Sequence, residues 1–302
     1  MVTRFKKVLI TGIDGFTGRY LRELLSAEGY DVYGIALDCR DDDKSYACDI
    51  TNKDEVMSVL LRIVPDYVVH LAAKSFVLYG DTPQFYHVNV FGTLNILDAL
   101  LECDINPDKI IIPSSGNVYG NVDFDIIDEN VCPGPTNHYA NSKIAMEYMV
   151  KTFFSRLNII ITRPFNYTGT GQSGHFLIPK IVKHFIDREK DIEMGNCDVI
   201  KDFSDIRFVV QVYKKLMECN VKSEVINISS GKGVSVLDII NIMNRLAGYQ
   251  INVKKNPKFV RENEIKRLIG SNRKLFSIID CENNYKIEDI LKFMYKKNDL
   301  DG

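Results

Sequence analysis

The chain has 302 residues, of which 45% are hydrophobic and 26% are charged, and its formal net charge is -2. This length is enough for one large domain, or two closely packed domains, with a proper core. The near-neutral charge gives no field that favours nucleic acid. No apolar run reaches the roughly 18 residues of a membrane span. Strand-like Val8-Leu9-Ile10 follows the first residues directly, so we expect no signal peptide.

The cysteines are scattered and odd in number, and they form no C-x-x-C pair. This pattern argues against a zinc site and against a disulfide framework. We therefore expect no metal, and reduced thiols in a cytoplasmic protein. The seven cysteines are Cys39, Cys48, Cys103, Cys132, Cys197, Cys219 and Cys281.

The first predicted strand, residues 6–11, is followed by three glycines at the start of a predicted helix, with the spacing G-x-x-G-x-x-G. Glycine permits a tight turn and a close approach of the backbone to a pyrophosphate, and a helix N-terminus offers unpaired N–H groups. The position at the first strand favours a dinucleotide cofactor over a glycine turn without a ligand. The residues predicted to bind it are Gly12, Asp14, Gly15, Phe16, Thr17 and Gly18.

The end of the second predicted strand, residues 31–36, bears on the choice of coenzyme. An acid there bonds the ribose hydroxyls of NAD, whereas a nearby arginine accepts the extra phosphate of NADP. Asp38 is followed by Arg40, which leaves NAD(H) and NADP(H) both open and leans to NADP(H). Asp49 and Ile50 precede a predicted helix over 52–62. They are predicted to lie against the adenine, although Asp49 could equally cap that helix.

A third buried strand is predicted over residues 67–73, with His70 as a packed core histidine rather than an acid or base. A helix over 82–102 and a strand over 109–113 follow. This alternation predicts an α/β fold with a doubly wound parallel sheet, of the Rossmann type. The residues predicted at the ligand end of the third strand are Leu71, Ala72, Ala73 and Lys74 for the cofactor and Ser75 for the substrate.

Tyr139 and Lys143 are four residues apart on a predicted helix and therefore share one face. A phenol beside an ammonium ionises more easily, because the positive charge favours the phenolate. Such a pair can pass a proton to or from a sugar or alcohol oxygen. A lone Tyr-x-x-x-Lys is usually an exposed helical pair. Here Ser115 follows an upstream strand, and the three groups can converge at the carboxyl edge of the sheet.

The second half predicts a smaller α/β domain. A strand over 158–162 is followed by Arg163, and helices near 178–187, 209–218 and 236–247 alternate with short strands such as 225–228. We divide the chain into a dinucleotide-binding domain, residues 1–165, and a substrate domain, residues 166–302, with some chain returning to the first. No repeat or linker is present, so the parts are expected to pack as one unit with a cleft between them.

Together these motifs resemble the extended short-chain dehydrogenases/reductases that act on nucleotide sugars, and especially the reductases of nucleotide 4-keto-6-deoxy-hexoses. The resemblance covers nearly the whole chain and rests on the order and spacing of its motifs. They are Thr11-Gly12-x-x-Gly15-x-x-Gly18, His70-Leu71-Ala72-Ala73, Asn89-Val90-x-Gly92-Thr93, Ser115, Tyr139-x-x-x-Lys143, Arg163-Pro164-x-Asn166 and Lys201-Asp202-Phe203-x-Asp205-x-Arg207.

The resemblance implies roles for the site residues in deoxysugar biosynthesis. Tyr139 would protonate the C4 ketone oxygen and Ser115 would hydrogen-bond it. Lys143 would lower the pKa of Tyr139 and, with it, hold the nicotinamide ribose. Arg163 would contact the cofactor. The residues implied to meet the nucleotide-sugar substrate are Asn117, Asn166, Lys201 and Arg261. The family also implies a homodimer through helices 82–102 and 139–154, although their apolar residues could equally be core.

Three departures from the family's motifs bear on the activity and on the nucleotide. Relatives that carry out 4,6-dehydration have an acid just after the catalytic Ser or Thr, and Gly116 and Asn117 stand there instead. Lys201 replaces the usual arginine and loses its bidentate fork, and Phe208 replaces a common aspartate, so the nucleotide stays open.

Two alternatives to a reductase remain. A 4-epimerase, which oxidises and re-reduces C4 with tightly held NAD, would use the same three catalytic residues. A non-catalytic dinucleotide-binding scaffold would need none of them, so the intact set counts against it.

Overall fold

The computed structural model describes residues 5–38, 43–75, 81–260 and 264–299. Its first half contains β1 (Lys7–Thr11), α1 (Phe16–Ala27), β2 (Asp31–Ala36), β3 (Ser45–Ala47), α2 (Lys53–Ile63), β4 (Tyr67–His70), α3 (Pro83–Tyr86), a π-helical segment (His87–Gly92), α4 (Thr93–Glu102), β5 (Lys109–Pro113), a 3-10 turn (Gly116–Tyr119), α5 (His138–Lys151) and β6 (Ile159–Pro164).

The second half contains β7 (Asn166–Thr168), α6 (Leu177–Ile186), β8 (Asp191–Met194), β9 (Ile200–Asp205), α7 (Ile206–Glu218), β10 (Glu224–Ile228), β11 (Gly233–Ser235), α8 (Val236–Ala247), β12 (Asn252–Lys255), a 3-10 turn (Pro257–Phe259), β13 (Arg267–Leu268), α9 (Arg273–Ile278) and α10 (Ile287–Asp299). None of the helices in the described residues is long and apolar enough to cross a membrane.

The large sheet has seven parallel strands in the order β10-β6-β5-β4-β1-β2-β3. From β1 the chain builds first towards β2 and β3, and then crosses back to add β4, β5 and β6 on the other side. The predicted doubly wound, Rossmann-type α/β fold is thereby confirmed. The order reverses between β1 and β4, where Thr11 is paired with His70. In such sheets ligands bind at the carboxyl edge beside this reversal.

The strands form buried runs because helices cover both faces of the sheet. On one face α2, α4 and α5 bury residues such as Leu60, Leu97 and Met146. On the other face α1 and α7 bury Leu21 and Val209 among others.

A smaller second layer of structure lies beyond β6. Strands β11, β9 and β13 form a mixed sheet that β7 joins through β9, and β8 pairs with β12. Helices α6, α8 and α10 pack into a separate core around Phe185, Met243 and Leu291. The second half also returns to the first, because β10 is an edge strand of the large sheet and α7 packs against α1. The division at residue 165 stays a prediction.

Three local predictions need correction. Strand β4 ends at His70 rather than residue 73, because the Ala72 N–H bonds the Thr11 side chain instead of a neighbouring strand. The helix predicted over 82–102 is divided by the π-helical segment, a feature that often occurs at functional sites. The cap of α2 is Asn52, whose side chain accepts from the Asp54 N–H, rather than Asp49.

Candidate active site

The glycine turn after β1 is tightly packed against the loop that follows β4. Gly12 has a φ of +69°, and a Cβ there would lie 2.9 Å from the Ala72 nitrogen. A Cβ on Gly18 would lie 2.4 Å from the Gly12 carbonyl oxygen. Gly15 is exposed, and α1 starts after it without a side-chain cap. The first-turn N–H groups are therefore available to an anion such as a diphosphate, and the turn fits the predicted dinucleotide.

The coenzyme-selecting region is described only in part. Asp38 is exposed just past β2, and Arg40 lies outside the described residues. The Asp49 carboxylate accepts from the backbone N–H and hydroxyl of Thr51, at 2.9 and 2.8 Å. Ile50 is buried and its carbonyl accepts from Asn95. These contacts fix the loop that was predicted to meet the adenine.

The loop after β4 is tied to the Tyr–Lys helix by Asn89, in the π-helical segment. The Asn89 side chain accepts from the Lys74 N–H at 2.8 Å and donates to the Lys74 carbonyl at 3.0 Å and the Ser142 hydroxyl at 2.9 Å. Ala73, Lys74 and Ser75 are exposed at this edge. Sequence reasoning quoted Asn89 only as part of a motif and missed this role.

His70 is a packed core histidine, as predicted. Its Nδ1 lies 2.7 Å from the Thr11 hydroxyl and its Nε2 lies 2.9 Å from the Thr93 hydroxyl. Thr93 donates to the Asn89 carbonyl, so its oxygen accepts the His70 Nε2–H, and Thr11 donates to Nδ1. Burial, and then the charge of Lys143, lower the pKa of His70 to about 3. The ring is therefore neutral at physiological pH.

The structure brings Ser115, Tyr139 and Lys143 together at the carboxyl ends of β5 and β6. Helix α5 begins at His138 because the Asn137 side chain accepts from the Ala140 N–H at 2.9 Å. This start places Tyr139 in the first turn, where it hydrogen-bonds Ser115. One turn later Lys143 is buried and donates to the Pro113 carbonyl at 2.9 Å.

The ionisation of this pair differs from the prediction. Burial raises the pKa of Tyr139 to about 12, Tyr167 adds to that rise, and the hydrogen bond to Ser115 opposes it. Burial lowers the pKa of Lys143 to about 8, and the charge of Glu147 opposes that fall. The expected lowering of the Tyr139 pKa by Lys143 is thus not seen in the ligand-free protein, where burial has the largest effect on that pKa. Tyr139 keeps its proton at neutral pH.

Arg163 is engaged elsewhere than predicted. Its guanidinium is buried and donates to both carboxylate oxygens of Glu147, at 2.9 and 2.6 Å, and to the Tyr119 hydroxyl at 2.9 Å. This geometry does not support the expected contact of the Arg163 side chain with the cofactor.

The residues expected to meet the substrate are spread over β7, β9 and the 3-10 turn after β5, and one lies outside the described residues. Asn166, on β7, donates to the Asp202 carbonyl at 3.2 Å, and Lys201, on neighbouring β9, donates to the Ile265 carbonyl at 2.9 Å. The Asn117 N–H donates to the Ser115 hydroxyl at 3.2 Å. Arg261 lies outside the described residues. Their contact with a substrate stays a prediction.

Asp202 is a buried carboxylate for which sequence reasoning found no role. It accepts from the Ser230 hydroxyl and N–H, and from the N–H groups of Gly231 and Gly270, at 2.6 to 3.3 Å. Burial raises the pKa of Asp202 to about 6 against the lowering effect of these donors. Asp202 therefore fastens two loops to β9.

Two further features frame the site. A cleft of about 400 Å³ near the β10 edge is lined by residues including Glu129, Asn272 and Lys274, and none of the three catalytic candidates borders it. Within the parts of the chain that the structure describes, no group of three His, Cys, Asp or Glu side chains could hold a metal ion.

The fold and this site define a class: a dinucleotide-binding oxidoreductase with a Ser–Tyr–Lys set. A family described as GDP-mannose 4,6 dehydratase matches residues 9–294. The chain belongs to the extended short-chain dehydrogenase/reductase family, of the NAD-dependent epimerase/dehydratase type. The prediction of an NAD(P)-dependent enzyme of the nucleotide-sugar oxidoreductase kind is confirmed at the level of this family.

Two curated relatives match over most of their length. GDP-6-deoxy-D-talose 4-dehydrogenase of Aggregatibacter actinomycetemcomitans is 34% identical over 299 residues, covering 98% of this chain and 99% of the relative. GDP-6-deoxy-D-mannose reductase of Pseudomonas aeruginosa is 28% identical over 281 residues, covering 89% and 90%.

Solved structures match the fold closely. A crystal structure of a candidate epimerase from Burkholderia cenocepacia has a TM-score of 0.92 at 38% identity and covers 98% of each chain. The structure of RMD from Pseudomonas aeruginosa complexed with NADPH has a TM-score of 0.87 at 25% identity, covering 98% of this chain and 100% of that one.

Proposed function

We propose that this enzyme reduces the C4 ketone of a nucleotide-activated 4-keto-6-deoxy-hexose with NAD(P)H, in deoxysugar biosynthesis. The observation that carries the proposal is the meeting of Ser115, protonated Tyr139 and Lys143 at the sheet edge that also holds the glycine turn. A bound NAD(P)H would supply the hydride. Everything else in the step is done by side chains of this chain.

The side chains of the site carry the protons that reduction of a ketone requires. A ketone oxygen that receives hydride at its carbon needs a proton, and Tyr139 carries one at neutral pH. Ser115 is 7% exposed, and its oxygen accepts from the Asn117 N–H. Its hydroxyl bonds Tyr139 in the ligand-free protein, and with a substrate bound it would donate its proton to the ketone oxygen. Lys143 holds an ammonium near the site whose charge offsets negative charge that develops on Tyr139 as the proton leaves.

Gly116 and Asn117 argue against dehydration, although the matched family is described by that activity. Eliminating water across C5 and C6 of a hexose needs an acid–base next to the catalytic Ser. Gly116 has no side chain, and a Cβ there would lie 3.0 Å from the Phe165 ring. Asn117 cannot exchange a proton near neutral pH.

The relatives favour a GDP-linked sugar and leave the C4 configuration open. Both curated relatives carry GDP and a 6-deoxyhexose in their names, and they make different epimers. We infer GDP-4-keto-6-deoxy-mannose as the first substrate to test. The complex of RMD with NADPH, at 25% identity, supports the lean to NADP(H).

A nucleotide-sugar 4-epimerase is the second candidate. It is favoured by the 38% identity to a structure described as that of a candidate epimerase. The same three side chains would serve it, because an epimerase oxidises and re-reduces C4. The two functions differ in whether NAD(P)H is consumed.

The decisive experiment is a spectrophotometric turnover assay with NADPH or NADH and enzymatically prepared GDP- and dTDP-4-keto-6-deoxy-hexoses. We expect loss of reduced nicotinamide equal to the GDP-sugar consumed, with a slower reaction for the dTDP-sugar. A parallel reaction without sugar is the control. Interconversion of nucleotide-hexose epimers without added cofactor, and no loss of NAD(P)H, would overturn the reductase in favour of the epimerase.

We also propose a homodimer through α4, α5 and the π-helical segment. Phe91, on that segment, is 54% exposed, and Tyr148, on α5, is 62% exposed, so this surface carries large apolar groups that a second copy could cover. Light scattering coupled to size-exclusion chromatography should give twice the 34.5 kDa chain mass; the mass of one chain would contradict it.

A cytoplasmic location is proposed as well. It rests on the free cysteines, which the structure shows at Cys48, Cys103, Cys132, Cys197, Cys219 and Cys281. Labelling of these thiols in protein isolated without reductant tests it, and their oxidation to disulfides would count against it.

A further inference from the structure

Residues 167–171, at the end of β7 and just after it, lie against the first turns of α1. The Tyr167 and Thr17 hydroxyls are 2.9 Å apart, the Tyr20 hydroxyl donates to the Thr170 carbonyl at 2.8 Å, and Arg19 reaches the Gly171 carbonyl at 3.3 Å. The helix that starts at the cofactor turn is thus held by the beginning of the second half.

Of the three contacts, the one made by Tyr167 lies nearest the start of α1, because its partner is Thr17. Thr17 is the second residue of α1, so its N–H is one of the first-turn groups that no cap occupies. The Tyr167 ring also stacks on Phe16, the first residue of the helix, with centroids 6.2 Å apart and planes 11° apart. Tyr20, by contrast, makes its bond to the Thr170 carbonyl from a position about one turn further along α1.

Tyr167 also belongs to the second half of the chain. It follows Asn166 on β7, and β7 pairs with β9 so that Tyr167 lies opposite Ser204. A single half-buried side chain therefore contacts Phe16 and Thr17 of the glycine turn and belongs to the sheet of the second half.

We propose that Tyr167 is a positioning residue for the dinucleotide, which fixes the first turn of α1 through Thr17 and Phe16. The affinity for the cofactor then depends on a residue of the substrate half. Without these contacts the first turn of α1 would be more mobile, and its N–H groups would point in a wider range of directions. Fewer of them would then point at the cofactor diphosphate at any one time, and its binding would weaken. The role concerns the cofactor alone, so it stands whether or not the sugar is the one proposed above.

The test is isothermal titration of NADPH into the purified, sugar-free full chain and its Tyr167→Phe variant. Loss of one net hydrogen bond should weaken the NADPH Kd about threefold to tenfold. The KM for the sugar, and kcat at saturating NADPH, should stay within about twofold, a split that general damage to the site would not give. An unchanged Kd, or a fall in kcat with unchanged Kd, would overturn the proposal.

Tyr20→Phe is the matched control, because it removes a phenol hydroxyl that also joins α1 to residues 167–171, through the Thr170 carbonyl. We expect its NADPH Kd to change less than about twofold. Equal weakening in both variants would mean a general tie between the halves and would contradict a specific role for Tyr167.

Thr17→Val removes the other partner and keeps the test usable should Tyr167→Phe fold poorly. Val is close in shape to Thr but lacks the hydroxyl. If the bond is what matters, the variant should weaken NADPH to the same degree, and the double variant should be no weaker than either single one. Additive losses in the double variant would contradict the proposal.

Discussion

Replacing Tyr139 by phenylalanine should lower kcat for sugar reduction at least about a hundredfold, the lower end of general acid–base contributions. The Tyr139 hydroxyl hydrogen-bonds Ser115, and burial raises the pKa of Tyr139 to about 12 in the ligand-free protein. The phenylalanine ring preserves the packing against Phe85, whose centroid is 6.1 Å away. The loss should therefore appear in kcat, with little change in the circular dichroism spectrum.

Tyr148→Phe is the control for this experiment. Tyr148 lies on the same helix and is 62% exposed, so the variant should keep kcat within about twofold because surface substitutions are usually mild. Full turnover by Tyr139→Phe, measured beside it at neutral pH, would show that the proton comes from another group.

Elements with strong local signals could be predicted from the sequence. Helix α8 was predicted with its observed bounds because Ser235 and Asp238 form a capping box at one end and Gly248 adopts a φ of +75° at the other. The glycine turn and the Tyr139–Lys143 spacing are local in the same sense. Such patterns depend only on residues that are close together in the sequence, so they can be recognised without knowing the tertiary structure.

Features that depend on long-range partners could not be predicted. The edge position of β10 in the large sheet follows from strand order, which no stretch of sequence encodes locally. The spacing of Tyr139 and Lys143 gave their shared face but neither their burial nor the Pro113 carbonyl that binds the ammonium, so the expected pKa of Tyr139 was wrong. The role of Arg163 was implied by the family resemblance, whereas the partner that its side chain contacts, Glu147, lies on another element.

The buried Glu147–Arg163 pair should be the most sensitive point of the fold beside the site. Both side chains are almost fully buried and joined by two hydrogen bonds. Glu147→Gln leaves the guanidinium without a counter-charge, and breaking such a pair costs about 3–5 kcal/mol. We expect that loss in the free energy of unfolding, measured by urea denaturation. The exposed Lys53–Glu102 pair is the control, since Glu102→Gln should leave the free energy of unfolding almost unchanged.

A double variant separates charge from packing at this pair. Glu147→Leu with Arg163→Met removes both charges and keeps apolar volume, and such replacements of a buried pair are often neutral. It should therefore recover most of the stability lost in Glu147→Gln, because Tyr119 retains its hydrogen bond to Asn227. If the double variant is as unstable as Glu147→Gln, the contribution lies in the geometry of the Arg163 fork rather than in its charge.

The double variant also takes away the carboxylate that raises the pKa of Lys143. The pKa of Lys143 should then fall further below its ordinary value. As the pH is raised, the ammonium should lose its proton earlier than in the wild type, so the fall in activity on the alkaline side should begin at a lower pH.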